Sequence, residues 1–256
     1  MPLSRKPGNR LLDTLAPATL ERLQPHLEAC ELTIGQEIHA AGDKTEYAYF
    51  PTNGVISMVA TMSDGAAVEV GIVGRQGMFG VPIVLGDATP SLRAMVQIPG
   101  RGFRMKAQRL RKEVQDDPAV QTLLLRYAMA TLTAVAQSAA CNRLHMLEQR
   151  CARWLLTAHD CADNDEFRLT HEFLAMMLGV RRAGVTVAAQ SLQSAGLIGY
   201  THGTMTIVDR PGLEASACEC YRLIHAEFER LVPDVTGQAA RAAPISATSV
   251  PRSSGL

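Results

Sequence analysis

The chain has 256 residues and a mass of 27.6 kDa; it is 47% hydrophobic and 20% charged, enough apolar material for one large core or two small ones and too much for a wholly disordered chain. Twenty-five Lys and Arg balance 25 Asp and Glu, and that neutrality alone argues against a nucleic-acid binder, whose usual footprint is basic. The first residues lack the apolar stretch of a secretory signal, no run approaches roughly 18 consecutive apolar residues, and six irregularly spaced cysteines are too few for a disulfide scaffold, so a cytoplasmic protein with reduced thiols and no membrane partner is expected.

Leu11, Leu12, Leu15, Leu20, Leu23 and Leu27 make a helical pattern over 11–29, interrupted by Pro17 and Pro25. From Glu31 to Arg104 the texture changes. Short apolar runs, Val55–Ala60, Val68–Val73 and Ala94–Ile98, are separated by turn formers such as Ala41-Gly42-Asp43, Thr52-Asn53-Gly54, Asp64-Gly65 and Pro99-Gly100. Several short strands with such punctuation predict a β-sandwich or barrel.

Pro118, preceded by Asp116 and Asp117, suits the first turn of a helix, and residues 119–144 contain neither Gly nor Pro. One long helix follows. Its apolar positions Val120, Leu123, Leu124, Tyr127, Leu132 and Val135 form a stripe that either a partner helix or the chain's own β-domain could cover. A second helix is expected from about Leu147 to His159, then the polar stretch Asp160–Glu166, then two more helices over 171–195. Residues 235–256, rich in Pro, Ala, Ser and Thr, read as a disordered tail.

The segment from Leu169 to Val208 is the most informative. Thr170 can cap a helix whose apolar face begins at Phe173 and Leu174; Gly179 permits a sharp left-handed turn, and a second helix runs from about Arg181 to Ala195 before Gly196. Small Ala175 lies four residues before the turn, and Leu174, Leu178, Val180 and Val185 flank it. That is a helix-turn-helix arrangement, and Tyr200–Ile207, folded about His202-Gly203, supplies a hairpin wing. The plainer alternative is an ordinary helical hairpin, and Gly184 within the second helix costs about 1 kcal/mol relative to Ala.

Residues 11–232 resemble the Crp/Fnr superfamily of bacterial transcription regulators. The likeness is carried by Leu169-Thr170 through Leu178-Gly179-Val180-Arg181-Arg182 and on to Leu197-Ile198. It extends to the run Val73-Gly74-Arg75-Gln76-Gly77-Met78-Phe79-Gly80, and to Asn142-Arg143-Leu144 with Glu148-Gln149-Arg150 through Trp154-Leu155-Leu156. The resemblance implies an α+β fold: a cyclic-nucleotide-binding-like β-roll over 11–117, a dimerisation helix over 118–144, a winged helix-turn-helix over 145–232 and a tail over 233–256. It implies a homodimer on a pseudo-palindromic double-stranded DNA site, with RNA polymerase as a candidate partner.

Arg182 matches the family's base-reading arginine, and Arg181, Thr186, Gln190, Thr170 and His202 complete the candidate DNA surface. Ala183 stands where a glutamate is common and Val187 where a basic residue is, so a different base preference is expected. In the β-roll the candidate effector residues are Gly77, Gly80, Val81 and Arg93. The family's cyclic-nucleotide glutamate is missing, because Val81-Pro82 follows Gly80, and its phosphate arginine is missing from Gly86–Ser91. No cyclic AMP binding of the usual kind is expected.

No cofactor or metal is expected. A single cysteine before residue 140 excludes the family's iron–sulfur mode, Cys141, Cys151 and Cys161 are read as packing residues, and Cys218-x-Cys220 with His225 offers too few ligands for zinc. His26, His39 and Met58 are read as structural rather than haem ligands. A cupin-like metalloenzyme is the competing class, and His39 as the one histidine between Glu31 and Val114 leaves it poorly supplied with ligands. A regulatory β-roll without DNA binding leaves the winged-helix set unexplained.

Overall fold

The computed structural model describes residues 7–87 and 89–233; the expected tail over 235–256 lies outside them. The leucine-rich start divides at its prolines into α1 (Arg10–Thr14) and α2 (Pro17–Leu23), with a 3-10 turn at Gln24–His26. Asn9 caps α1 and pins it to the β-roll, donating from Nδ2 to the carbonyls of Pro51 and Gly77, each at 2.8 Å. Strands follow at β1 (Glu28–Leu32), β2 (Glu37–His39), β3 (Tyr47–Pro51), β4 (Val55–Thr61) and β5 (Ala67–Val73). After the short α3 (Val81–Leu85) come β6 (Arg93–Ile98) and β7 (Gly100–Lys106).

All pairings in the roll are antiparallel: one sheet has the order β1-β7-β3 and the other β2-β6-β4-β5. Leu32, Ile56, Val73, Phe79, Ala94 and Val96 fill one part of its interior, while Ala48, Phe50 and Met105 face the helices. Strand β4 is buried on both faces, with Ile56 in the roll interior and Val55, Ser57 and Val59 also buried, and its ladder shifts register between Val55 and Ile56 and between Met58 and Val59.

The sequence reading did not anticipate helix α4 (Ala107–Asp116), ten residues that bury Ala107, Leu110 and Val114 on one face. Asp117 then caps the long α5 (Pro118–Leu144), accepting from the Ala119 and Val120 amides as the acidic approach to Pro118 suggested. The apolar stripe of α5 has two uses. Val120, Leu124 and Tyr127 are buried in the same core as Met78, Ile83 and Leu110, so the chain's own β-domain covers that part. A second face stays uncovered: Leu125, Met129 and Leu132, at spacings of four and three residues, are 44%, 49% and 62% exposed. By length and apolar composition α5 could also cross a membrane; its packing on the β-roll and on α10 (Cys220–Leu231) covers part of that apolar surface, and 22% of its most apolar window is buried within the chain.

The C-terminal part comprises α6 (Leu147–Cys161), β8 (Glu166–Arg168), α7 (His171–Leu178), α8 (Arg182–Ser194), β9 (Ile198–Thr201), β10 (Thr204–Ile207), α9 (Arg210–Ser216) and α10. Its core gathers Trp154, Leu155, Leu174, Val185, Leu192, Ile198 and Met205. Gly184 has a packing reason: a Cβ there would sit 3.1 Å from Leu147 Cδ2, so the glycine lets α8 approach α6.

The loop from Gly74 to Gly77 joins roll and helices. Tyr127 donates its hydroxyl to the Met78 carbonyl at 3.0 Å, and burial pushes that phenol up to about 12. A Cβ on Gly77 would collide with the Tyr127 ring, and one on Gly74 with Cys161. Gly77→Ala should therefore cost about 1–3 kcal/mol, and less when Tyr127→Leu relieves the clash, a coupling measured by chemical denaturation of both single variants and the double. An additive pair would show that the contact carries no strain.

Candidate nucleic-acid interface

Thr170 is the N-cap of α7, in extended geometry, and its hydroxyl accepts from the Phe173 amide at 3.2 Å. Gly179 ends the helix at φ 64 and ψ 39, and the Val180 amide returns to the Ala175 carbonyl at 3.0 Å. Arg181 is the extended N-cap of α8, so Arg181 and Arg182 both stand exposed where that helix begins. The wing is a two-residue hairpin: His202 (φ 50) and Gly203 (φ 79) both occupy left-handed backbone, as a tight type I′ connection requires. Strand β8 adds a third strand beside β10, and the Leu169 amide donates to the Gly203 carbonyl at 2.9 Å, which ties the wing turn to the Thr170 cap.

The candidate residues therefore fall into two groups. Arg181, Arg182 and Gln190 are exposed on α8, and His202 is exposed at the wing tip. Thr186 is half-buried, donating to the Arg182 carbonyl at 3.1 Å with its oxygen 3.1 Å from His171 Nδ1; Thr170 is committed to its cap. Sequence reasoning missed His171. Its ring stacks on Tyr200 of the wing at 4.1 Å and 19°, and burial together with the Arg182 charge holds its pKa below the ordinary histidine value. A neutral His171 thus joins wing and helix behind the exposed arginines. Arg150 was present only as part of a family-like run; its guanidinium donates to the Leu178 carbonyl and closes the end of α7.

Between Phe173 and Val208 there is no Asp or Glu; Glu172, just before it, is exposed, and three acidic side chains further back are engaged. Asp163 pairs with Arg75 at 2.7 Å, Asp160 with Arg210 at 2.7 Å, and Asp165 meets His159 at 2.8 Å. The overall neutrality conceals a local positive surface able to meet phosphates and base edges.

Among the candidate effector residues, Gly77 lies against Tyr127, Gly80 (φ 127) lies against Ala48 and Ile83, Val81 is half-buried at the start of α3, and Arg93 is paired with Glu37 at 2.9 Å; none of them lines the cavity at the seam between roll and helices. That cavity, of about 260 Å³, lies between β5, α5, α6 and α10, and Glu69, Arg75, Arg153, Trp154, Ser138 and Asn142 are among its walls. At its edge the roll meets the helix-turn-helix unit: Val68 packs on the Gly179 turn, Ser57 lies 3.7 Å from Met177 Sδ, and Trp154 Nε1 donates to Glu69 at 2.8 Å. His39, the histidine a cupin-like centre would need, is tucked against the Phe79 ring with Nε2 3.4 Å from the Pro90 carbonyl, and it joins no ligand cluster among the described residues.

Two family models match the chain: the cyclic nucleotide-binding domain over residues 30–117 and the Crp-like helix-turn-helix domain over 149–216. Among solved structures, FixK2 from Bradyrhizobium japonicum is similar at 18% identity and a TM-score of 0.64, covering 75% of this chain and 98% of its own. A Crp/Fnr-family regulator from Eubacterium rectale gives 19% identity and 0.62, covering 80% and 96%. The cyclic di-GMP-responsive regulator CLP from Xanthomonas campestris gives 17% and 0.58, covering 75% and 99%. Comparison with curated protein sequences gives no significant match. At these identities the structures speak to the fold.

Burial pushes the Glu69 carboxyl up to about 7 from an ordinary 4.5, against the opposing hydrogen bonds from Ser57 and Trp154. A raised carboxyl favours the neutral form in the folded seam, so its stabilising contribution is complete below pH about 4.5 and is lost as pH rises through about 7. The difference is at most on the order of 3 kcal/mol. Denaturation followed across this range should show wild type weakening with pH and Glu69→Gln with a flatter profile; identical profiles would mean that Glu69 does not titrate in the seam.

Proposed function

We propose that the chain is a DNA-binding transcription regulator of the Crp/Fnr kind and not an enzyme, that it binds a pseudo-palindromic DNA site as a homodimer, and that it reads bases chiefly through Arg182; the matching cyclic nucleotide-binding and Crp-like helix-turn-helix models support the reading. The observation that carries this reading is the exposed start of α8, where Arg181 and Arg182 stand on an acid-free segment beside a hairpin wing. An arginine there can donate two hydrogen bonds to guanine O6 and N7, while Arg181 and His202 are suited to phosphates. Gln190, two turns along α8, is the second base-reading candidate, and Thr186 and Thr170 act by fixing the helix pair. Ala183 and Val187 remove polar groups from the same face, so the preferred bases differ from those of members with a glutamate and a basic residue there.

The dimer contact is the uncovered face of α5 at Leu125, Met129 and Leu132, which two copies can bury against each other. Such a pairing sets two α8 helices about one DNA turn, roughly 34 Å, apart. RNA polymerase is placed among the partners on the resemblance alone.

The signal acts at the seam. The roll lacks the glutamate and arginine that hold a cyclic nucleotide's ribose and phosphate, so cyclic AMP is not its effector in the usual manner. The cavity beside Glu69, Arg75 and Arg153 touches the roll, the long helix and the DNA-reading unit together, and a small ligand there would bias how they dock. Calorimetric titration with cyclic AMP, and with cyclic di-GMP as the signal of the Xanthomonas relative, tests this; saturable, tight cyclic AMP binding would overturn it.

Arg182→Ala should cost about 1–3 kcal/mol in specific binding and relax preference at one base pair per half-site, measured by gel-shift titration on specific and scrambled duplexes. Unchanged affinity and preference would remove Arg182 from base reading. Leu132→Glu should yield a species near the single-chain mass of 27.6 kDa by light scattering, with weakened binding to a two-half-site duplex. A persistent dimer would place the contact elsewhere.

A further inference from the structure

The end of α5 and the start of α10 bring together four side chains that DNA reading does not use. Cys141 Sγ lies 3.5 Å from Cys218 Sγ, Cys220 Sγ lies 3.5 Å from His145 Nδ1, and the four atoms all fall within 4.8 Å of one another. The three cysteines are buried and form a small cluster of their own. A tetrahedral zinc ion, with bonds of about 2.3 Å to sulfur and about 2.0–2.1 Å to nitrogen, places its ligand atoms roughly 3.8 Å apart for two sulfurs and roughly 3.5 Å apart for sulfur and nitrogen. The two shortest spacings match that geometry, and the others, all within 4.8 Å, need contract by about an ångström at most.

The surroundings fit it as well. His145 turns Nε2 to the Glu219 carboxylate at 3.2 Å, which would fix the tautomer that leaves Nδ1 free to ligate, as carboxylates do behind zinc-bound histidines. Gln137 Nε2 donates to Cys220 Sγ at 3.2 Å, a contact that favours a thiolate. The Arg150 and Arg153 charges lie within electrostatic reach of Cys141, offsetting the net negative charge that three thiolates leave on a divalent ion. Cys218-x-Cys220 with His225 alone offers too few ligands, and the His225 ring lies beside Tyr221, at 6.3 Å; the histidine that joins the cysteines is the C-cap of α5.

We propose that Cys141, Cys218 and Cys220 as thiolates, with His145 through Nδ1, hold one zinc ion in a closed site that fastens the end of α5 to the start of α10. Loading releases the three thiol protons to solvent and changes no oxidation state. Four protein ligands leave no open position, so the ion is structural. Its mechanical effect follows from α10, which runs back along α5 until Phe228 meets the Tyr127 ring at 6.1 Å and Glu229 pairs with Arg10 at 2.7 Å. The ion anchors the far end of that brace, at the junction where the DNA-reading unit joins the long helix.

The test uses the reduced full-length chain, purified without chelator. Elemental analysis should give about one zinc per chain, and cobalt(II) added to the stripped protein should produce the intense visible bands of tetrahedral thiolate coordination, displaced by zinc. Cys218→Ser with Cys220→Ser should abolish both signals while Cys30→Ser keeps them, and removing zinc from wild type should lower its thermal midpoint. The cobalt spectrum needs no variant, so a variant that fails to fold leaves the proposal open to refutation. Folded, reduced wild type that takes up neither metal, zinc retained by the double variant, or a Cys141–Cys218 disulfide formed in the presence of zinc would each overturn it.

Discussion

The Gly74–Gly77 turn is pressed between the Tyr127 ring of α5 and Cys161 of α6, and the way both helices sit on the roll depends on that contact. Two glycines are needed because the helices approach so closely that a methyl group at either position would collide. The turn is held from behind by Asn9, which bonds the Gly77 carbonyl, and by the Arg10 amide, which donates to the Arg75 carbonyl at 2.8 Å. Arg75 then reaches the other way to Asp163. A loop at a sheet edge thereby acts as a rigid joint: a shift of the roll moves α5 and α6 together, because packed interiors transmit displacement.

Charge placement on the DNA-reading unit follows from the same economy of contacts. Asp163, Asp165 and Asp160 are drawn toward Arg75, His159 and Arg210, and Arg181 and Arg182 stand exposed on a segment without acidic residues. On the proposed reading, so few cations predict weak non-specific affinity, with specificity resting on a small number of positioned contacts multiplied by dimer symmetry. His171, neutral and stacked on Tyr200, keeps wing and helix in one register without adding charge.

What could be read from the sequence was local. The Thr170 cap, the Gly179 turn and the His202-Gly203 hairpin each follow from residue chemistry within a few positions, and the glycine- and proline-free run over 119–144 announced α5. What escaped was set by distant contacts. The stripe on α5 could not reveal that Tyr127 is covered by the chain's own roll while Leu132 is not, since both satisfy the same helical spacing. The short strands β1, β2 and β8 carry too few residues to show alternation. The Cys141, His145, Cys218 and Cys220 cluster joins positions more than 70 residues apart, a proximity no spacing rule contains. The family-like phosphate-loop positions drew attention to Gly80 and Arg93, whereas the cavity opens at the seam beside Glu69.

The central claim, that α8 reads DNA in a symmetric pair, is tested most directly by selecting bound sequences from random duplex DNA with the full-length protein. The account predicts a pseudo-palindromic consensus with half-sites about one helical turn apart, and loss of preference at one guanine-bearing position per half-site when Arg182 is replaced by alanine. A non-symmetric consensus, or no enrichment from reduced, folded dimer with or without candidate effectors, would contradict it.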